Sequence, residues 1–308
     1  MLLQVEAAGL TGMTIALAGP VSAALARADW PARAPRAALL LWQAVGLGGG
    51  LGVLTAGMTL AAGSLDRRWL PGVLAVPSHW SRLGPAGWLG VAVTGGVGAW
   101  LAAATGTSAV RVATTRRAHR RFLDAIADAR RVHAADDHTD LKVRLVDHPT
   151  AMAYCLPGIR PQIVLSRGAL DTLSPGELTA VLAHEQAHAR GRHDLVIQPF
   201  IAWSKTFPFL PTAARSVTAV RLLVEMLADD AALHHCPPSD LQQALRQVAL
   251  AQAAGIEPDP ADPPSDQLGA RIDRMSATGR ALPPATRALI YAAAIALVLT
   301  PPVVLLLS

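Results

Sequence analysis

VLAHEQAHARGRHDL, residues 181–195, is the stretch on which the reading of this chain turns. His184 and His188 are four apart, so on a helix they share one face and both imidazoles can reach one ion. Glu185 lies beside them and can hold a water on the same ion. Zinc lowers the pKa of such a water, and the carboxylate can then take its proton as the water attacks a peptide carbonyl. Upstream, Ser174-Pro175-Gly176-Glu177 has the form of a capping box with proline at the first helical position, so a helix is expected to start there and carry the motif. The apolar run before His184 in AVLAHEQAHA fits a helix with one face in a core.

A zinc site needs a third protein ligand, and two residues compete. HEQAHARGRHD has the spacing HExxHxxGxxD, in which the chain turns at Gly191 and Asp194 closes the site. VEMLADDAAL (224–233) offers Glu225 on a separate helix, with Asp229 one turn on and on the same face. That spacing places one carboxylate on the metal and a second where it accepts the N–H of a ligand histidine. The Asp194 arrangement also calls for a methionine turn, and Met226 and Met275 are poorly placed for one. Glu225 is therefore preferred, which leaves Asp194 as a cap or a partner for nearby arginines.

The rest of the chain is membrane-like. Of 308 residues, 52% are hydrophobic and only 16% charged, against about a quarter charged in ordinary soluble domains; the mean hydropathy is +0.34. Four apolar stretches, at about 2–26, 37–63, 86–110 and 288–307, reach the roughly 20 residues a spanning helix needs. A signal-peptide reading of the first is disfavoured by the acidic Glu6 and the lack of a basic start. The formal charge of +5 comes mainly from arginine. Loops 27–36 and 64–85 each hold three arginines and one aspartate and do not discriminate. The run RVATTRRAHRR after the third span does, because positive residues near a span stay on the cytoplasmic side. Residues 111–287 are accordingly expected as one cytoplasmic domain, with both chain ends outside. Cys155 and Cys236 give no disulfide framework and no paired metal knuckle.

The order of three spans, a domain with HEQAH and VEMLADDAA, and a last span resembles the BlaR/MecR family of membrane metallopeptidases. AYCLPGIRPQIVLSRGALDTLSPGELTAVLAHEQAHARGRHD is similar to that family's core, and a more distant likeness is to the HtpX-type membrane peptidases. The resemblance implies an α-helical membrane protein with an α+β zinc-metallopeptidase (gluzincin) domain between the third and fourth spans, over residues 1–110, 111–287 and 288–308. It implies one Zn2+ per chain on His184, His188 and Glu225, with Glu185 as base and Asp229 in support. It also implies a protein substrate, typically a winged-helix repressor, cut in response to a signal; the HtpX-type likeness implies quality control of membrane proteins instead. The expected partners are that substrate and the lipid bilayer, with a homo-oligomer left open and no direct nucleic-acid contact. Antibiotic-sensing members carry a penicillin-binding domain outside the last span. This sequence stops there, so direct β-lactam sensing through such a domain is not expected.

Further residues are read more plainly. LKVRLVD (141–147) and PQIVLS (161–166) pattern as strands with YCLPG turning between them, and PQIVLS is either the edge strand for an extended substrate or an ordinary core strand. RRAHRRFLDAIADARR (116–131) patterns as a charged helix continuing the third span, and helices are expected over 212–235 and 239–254. His193 and Tyr154 are weak oxyanion candidates, His193 being expected on the surface. His234-His235-Cys236 suits a helix C-terminus. IEPDPADPPSD (256–266) is expected as an exposed loop, and QPFIAWSKTFPFLP (198–211) either packs in a core or dips into the membrane interface. A reporter inserted in 256–266 should read as cytoplasmic and one fused after Ser308 as outside; an external reading for the insertion would invert the assigned topology.

Overall fold

The computed structural model describes residues 2–65, 69–126, 128–130, 142–156, 161–255, 265–276 and 281–307. It is mostly helical with one four-stranded sheet. The chain forms two compact units, one of residues 1–108, 200–217 and 281–308, the other of 109–199 and 218–280.

Among the described residues, four helices are long and apolar enough to cross a membrane, Leu3–Arg27, Pro35–Gly63, Pro85–Arg121 and Pro284–Leu306; all lie in the first unit except the end of the third beyond Ser108. The first is α1 (Leu2–Ala16) running through a π turn at Leu17–Val21 into α2 (Ser22–Arg27). Pro20 sits in that turn and has no N–H to give to the ladder. The Ser22 hydroxyl donates to the Leu17 carbonyl at 2.6 Å. The next helix, α3 (Pro35–Gly63), is half buried over its apolar window and forms the centre of the bundle. A shorter helix, α4 (Trp69–His79), leads to α5 (Pro85–Ile126).

Small residues let these helices touch backbone to backbone. A side chain at Gly90 of α5 would run into the Gly57 carbonyl and the Ala61 amide of α3. Nearby, the Thr94 hydroxyl donates to the Leu54 carbonyl at 3.2 Å. Close approach and cross-helix hydroxyl bonds are what hold helices together where no hydrophobic force between them exists.

The second unit is built on the sheet, of order β1-β2-β4-β3. Its strands are β1 (Asp128–Arg130), β2 (Lys142–Val146), β3 (Ala153–Leu156) and β4 (Gln162–Ser166). β2 and β4 are parallel, and the two outer pairings are antiparallel. One open alternative is decided here and two expectations change. PQIVLS is not an edge: β4 lies between β2 and β3, and Ile163, Val164 and Leu165 are all buried, as a strand covered on both faces requires. Tyr154-Cys155-Leu156 is not a turn but most of the edge strand β3, with Pro157 and Gly158 outside the described residues. The charged helix ends at Ile126, and Asp128–Arg130 pairs with β2, because ladder hydrogen bonds outweigh a weak local helix preference.

Six further helices complete the peptide order before the last span: α6 (Arg167–Thr172), α7 (Pro175–Gly191), α8 (His193–Thr206), α9 (Pro211–Ala232), α10 (Pro238–Gly255) and α11 (Ser265–Ser276). Of the stretch expected as a loop, 256–266, residues 256–264 lie outside the described residues, while Ser265 and Asp266 begin α11. The last span is α12 (Pro284–Leu307). Helix α7 is the hub of the second unit. Val181 and Leu182 pack with Val143, Ile163 and Leu165 of the sheet, while Ala180 packs with Ala232 of α9 and Leu241 of α10. Its start is the capping box: Ser174 Oγ accepts from the Glu177 N–H, and Glu177 Oε2 accepts from the Ser174 N–H at 2.7 Å.

The helix contact at Gly90 gives a direct test of the first unit. Gly90→Leu should cost about 1–3 kcal/mol or more through overpacking. Gly95→Leu, on the same helix with nothing within 4 Å of a side chain there, should be tolerated. Unfolding in detergent, followed by circular dichroism, distinguishes the two.

Candidate metal centre

The site is assembled from four helices (α7, α8, α9 and α11) and one strand of the second unit. Helix α7 presents His184 and His188 on one face, and α9 brings Glu225 against them. The Nε2 atoms of the two histidines are 3.1 Å apart. Glu225 Oε2 lies 3.3 Å from His184 Nε2, and Glu225 Oε1 lies 3.5 Å from His188 Nε2. One ligand atom from each of the three residues falls within 4.8 Å of the others. Two imidazole nitrogens and a carboxylate oxygen converging at this spacing match the donor set of a catalytic zinc ion.

The backs of both imidazoles are also engaged. His184 Nδ1 lies 3.1 Å from Asp229 Oδ1, close enough for strong attraction but too bent for a straight hydrogen bond. His188 Nδ1 lies 3.0 Å from Nδ1 of His193, and the two rings meet edge to face. His193 is thus buried and not on the surface as expected. Arg192 makes this possible by taking a left-handed conformation (φ 49°), which starts α8 at His193. Gly191 is equally necessary, because a Cβ there would collide with the His193 ring.

Arg271 of α11 is the residue that sequence reasoning missed. Its Nε and Nη2 donate to both oxygens of Asp229, at 2.8 and 2.7 Å, and its Nη1 lies 3.1 Å from Glu225 Oε2. One turn on, Arg274 makes the same forked pair with Asp230, at 2.7 and 2.8 Å. Two arginines three apart thus face two adjacent aspartates. The complementarity is visible in RIDR and ADD once the helices are known to touch; their sequence separation hides it.

These contacts set the charges. Burial alone would push the Glu225 carboxyl up, but His184 and His188 hold it well below the usual range. Asp229 is likewise held down, against burial, by Arg271 and His184. Burial works against a charged His184, yet Asp229 and Glu225 raise its pKa to about 10. A site that attracts a proton this strongly is built for a positive charge between those groups. Glu185 behaves differently: burial raises its pKa, with only partial relief from the two histidines and from the Cys155 backbone N–H. Its carboxyl is therefore more basic than an exposed glutamate's. The Cys155 thiol is raised to about 12, by burial and then by Glu185 and Asp194. His193 is lowered to about 4, first by burial and then by His188.

The other sequence candidates fall elsewhere. Asp194 forms a 2.9 Å ion pair with Arg116. Met226 is buried within α9, and Met275 packs beside Leu241. Tyr154 bonds through its hydroxyl to His119 Nε2 at 2.9 Å and packs with Leu156 and Val164. At the end of α9, His234 and Cys236 bond to the backbone carbonyls of Asp230 and Ala232.

An HExxH motif on α7 faces a carboxylate of α9, an arrangement that could hold a metal ion, in a chain that also has membrane-type helices. Residues 113–223 match the sequence model of Peptidase family M48, which supports a membrane-type zinc metallopeptidase. Among curated proteins and solved structures, none matches the chain.

Because Arg271 is buried, its removal takes from the buried Asp229 carboxylate both of its charged hydrogen bonds and leaves it only His184. Arg271→Met should destabilise the protein by about 3–5 kcal/mol. Arg274→Met, whose pair with Asp230 is partly exposed, should cost about 1 kcal/mol or less. Chemical denaturation of the two variants measures the difference, and equal costs would remove Arg271 from its central place.

Proposed function

We propose that this chain is a membrane-anchored zinc endopeptidase in which His184, His188 and Glu225 hold one ion and Glu185 is the general base. The observation that carries the reading is the convergence of those three ligand groups within 4.8 Å, with the half-buried Glu185 carboxyl on the same helix as the two histidines. When bound, zinc acts as a Lewis acid on the scissile carbonyl and makes water more acidic. Glu185 takes the proton, a role that suits a carboxyl whose pKa burial has raised. The Cys155 N–H steadies that carboxylate. Asp229 and His193 stand behind His184 and His188 so that Nε2 of each ring points toward the ion. Arg271 keeps Glu225 and Asp229 in register.

The substrate is a protein segment laid in extended form along β3, the edge strand whose backbone already reaches Glu185. This replaces β4 as the docking strand, since β4 is paired on both sides. We further propose that the peptidase residues face the cytoplasm, supported by Arg111, Arg117 and Arg121, all exposed after the third span. Signal-dependent cleavage of a winged-helix repressor rests on the BlaR/MecR resemblance.

Purified protein should hold about one zinc ion per chain. Glu225→Ala should lose most of it and Asp194→Ala little; the opposite result would return Asp194 to the ligand set. Glu185→Gln should keep the zinc but cut more slowly by roughly 10²–10⁴-fold. In cells it should therefore crosslink to its uncut target. Capture of one repressor supports signalling, whereas capture of many membrane proteins points to quality control. Unimpaired cleavage by Glu185→Gln would exclude the assigned base.

A further inference from the structure

We propose that residues 200–212 form a re-entrant hairpin whose aromatic apex lies among the acyl chains of one bilayer leaflet, with Phe209 facing lipid. Helix α8 ends at Thr206, the chain turns through Phe207-Pro208-Phe209-Leu210, and α9 leaves from Pro211. This stretch belongs to the same compact unit as the spanning helices. Phe200 meets Trp42 of α3 edge-on, with ring centres 6.3 Å apart. Deeper in, Phe207 stacks on Trp100 of α5 at 6.0 Å and 12°.

The levels of these contacts give the depth. Consecutive spans run in opposite directions, so the C-terminal end of the first, the N-terminal end of α3 and the basic end of α5 lie on one side. Gly49 approaches Leu17, and Gly98 approaches Leu54, which puts Ala18 and Trp100 near the level of the middle of α3. At about 1.5 Å per residue, Trp100 is roughly 16 Å along its helix from Arg111, and Ala18 roughly 13 Å from Arg27. Trp42 lies nearer the surface by about the length of α8 between Phe200 and Phe207, roughly 10 Å. The hairpin thus enters at Phe200 and turns at Phe207–Leu210. With a hydrocarbon core of about 30 Å, the apex falls within one leaflet.

The backbone is suited to that place. Hydrocarbon offers no partner for exposed amides. The Phe207, Leu210 and Ala213 amides donate to the carbonyls of Trp203, Phe207 and Leu210, at 2.9, 3.0 and 3.0 Å, while Pro208 and Pro211 have no N–H. On the way out, the Thr212 hydroxyl donates at 2.8 Å to the Ala18 carbonyl, inside the π turn of the first span. No charged residue occurs between Lys205 and Arg215. Lys205 is exposed, and its long stem can carry the ammonium back to the headgroups. Phe209, at the tip, is 71% exposed.

The test uses the full chain in liposomes with Cys155→Ala and Cys236→Ala, carrying one nitroxide-labelled cysteine at a time. Leu299, exposed on the last span, and Leu250, exposed on α10, serve as the lipid and water references; their expected readings also show that the protein is folded and inserted. Labels at Phe209→Cys and Leu210→Cys should resemble the label at 299, open to oxygen and shielded from a polar nickel chelate. A label at 209 that is open to the chelate as at 250, or that reads at headgroup depth, overturns the proposal. Shielding from both reagents also overturns it, because a protein surface, such as a second copy of this chain, would then cover the tip.

Discussion

A buried network of charge holds the centre of the second unit together. Arg271 grips both oxygens of Asp229 and touches Glu225; Asp229 stands behind His184, and Glu225 faces both motif histidines. Taking these groups from water is costly, and the cost is offset only if each charge keeps its partners. The network therefore ties α11 to α9 and α9 to α7. Helix α7 is in turn fixed by its apolar packing on the sheet and by the capping box at its start.

The two imidazoles are supported unequally. An anion stands behind His184 and a neutral ring behind His188, since burial keeps His193 uncharged. Asp229 thereby favours positive charge at His184 more than His193 does at His188. The structural demands on the His188 side are also narrower. Gly191 must lack a side chain, and Arg192 must take a left-handed conformation for His193 to arrive.

The sheet shows how an apolar run can be read two ways. QIVLS read equally well as an edge or a core strand, and three successive buried side chains are the mark of a strand covered on both faces. Pairing on both sides removes β4 as a template and leaves β3, through the Cys155 amide, as the strand whose backbone reaches Glu185.

What the sequence by itself determined is local and periodic. A spacing of four residues, about one helical turn, grouped His184 with His188 and Glu225 with Asp229, Ser174 and Glu177 announced the start of α7, and hydropathy marked four stretches long enough to span a membrane. Only the tertiary structure decided what depends on contacts between distant segments. It joined Arg271 to Asp229, buried His193 against His188, paired Asp128–Arg130 into the sheet and laid Phe207 on Trp100. Such contacts have no period to read: they arise when separate faces bury apolar surface and satisfy each other's polar groups, and single-residue preferences are too weak to foretell which faces will meet.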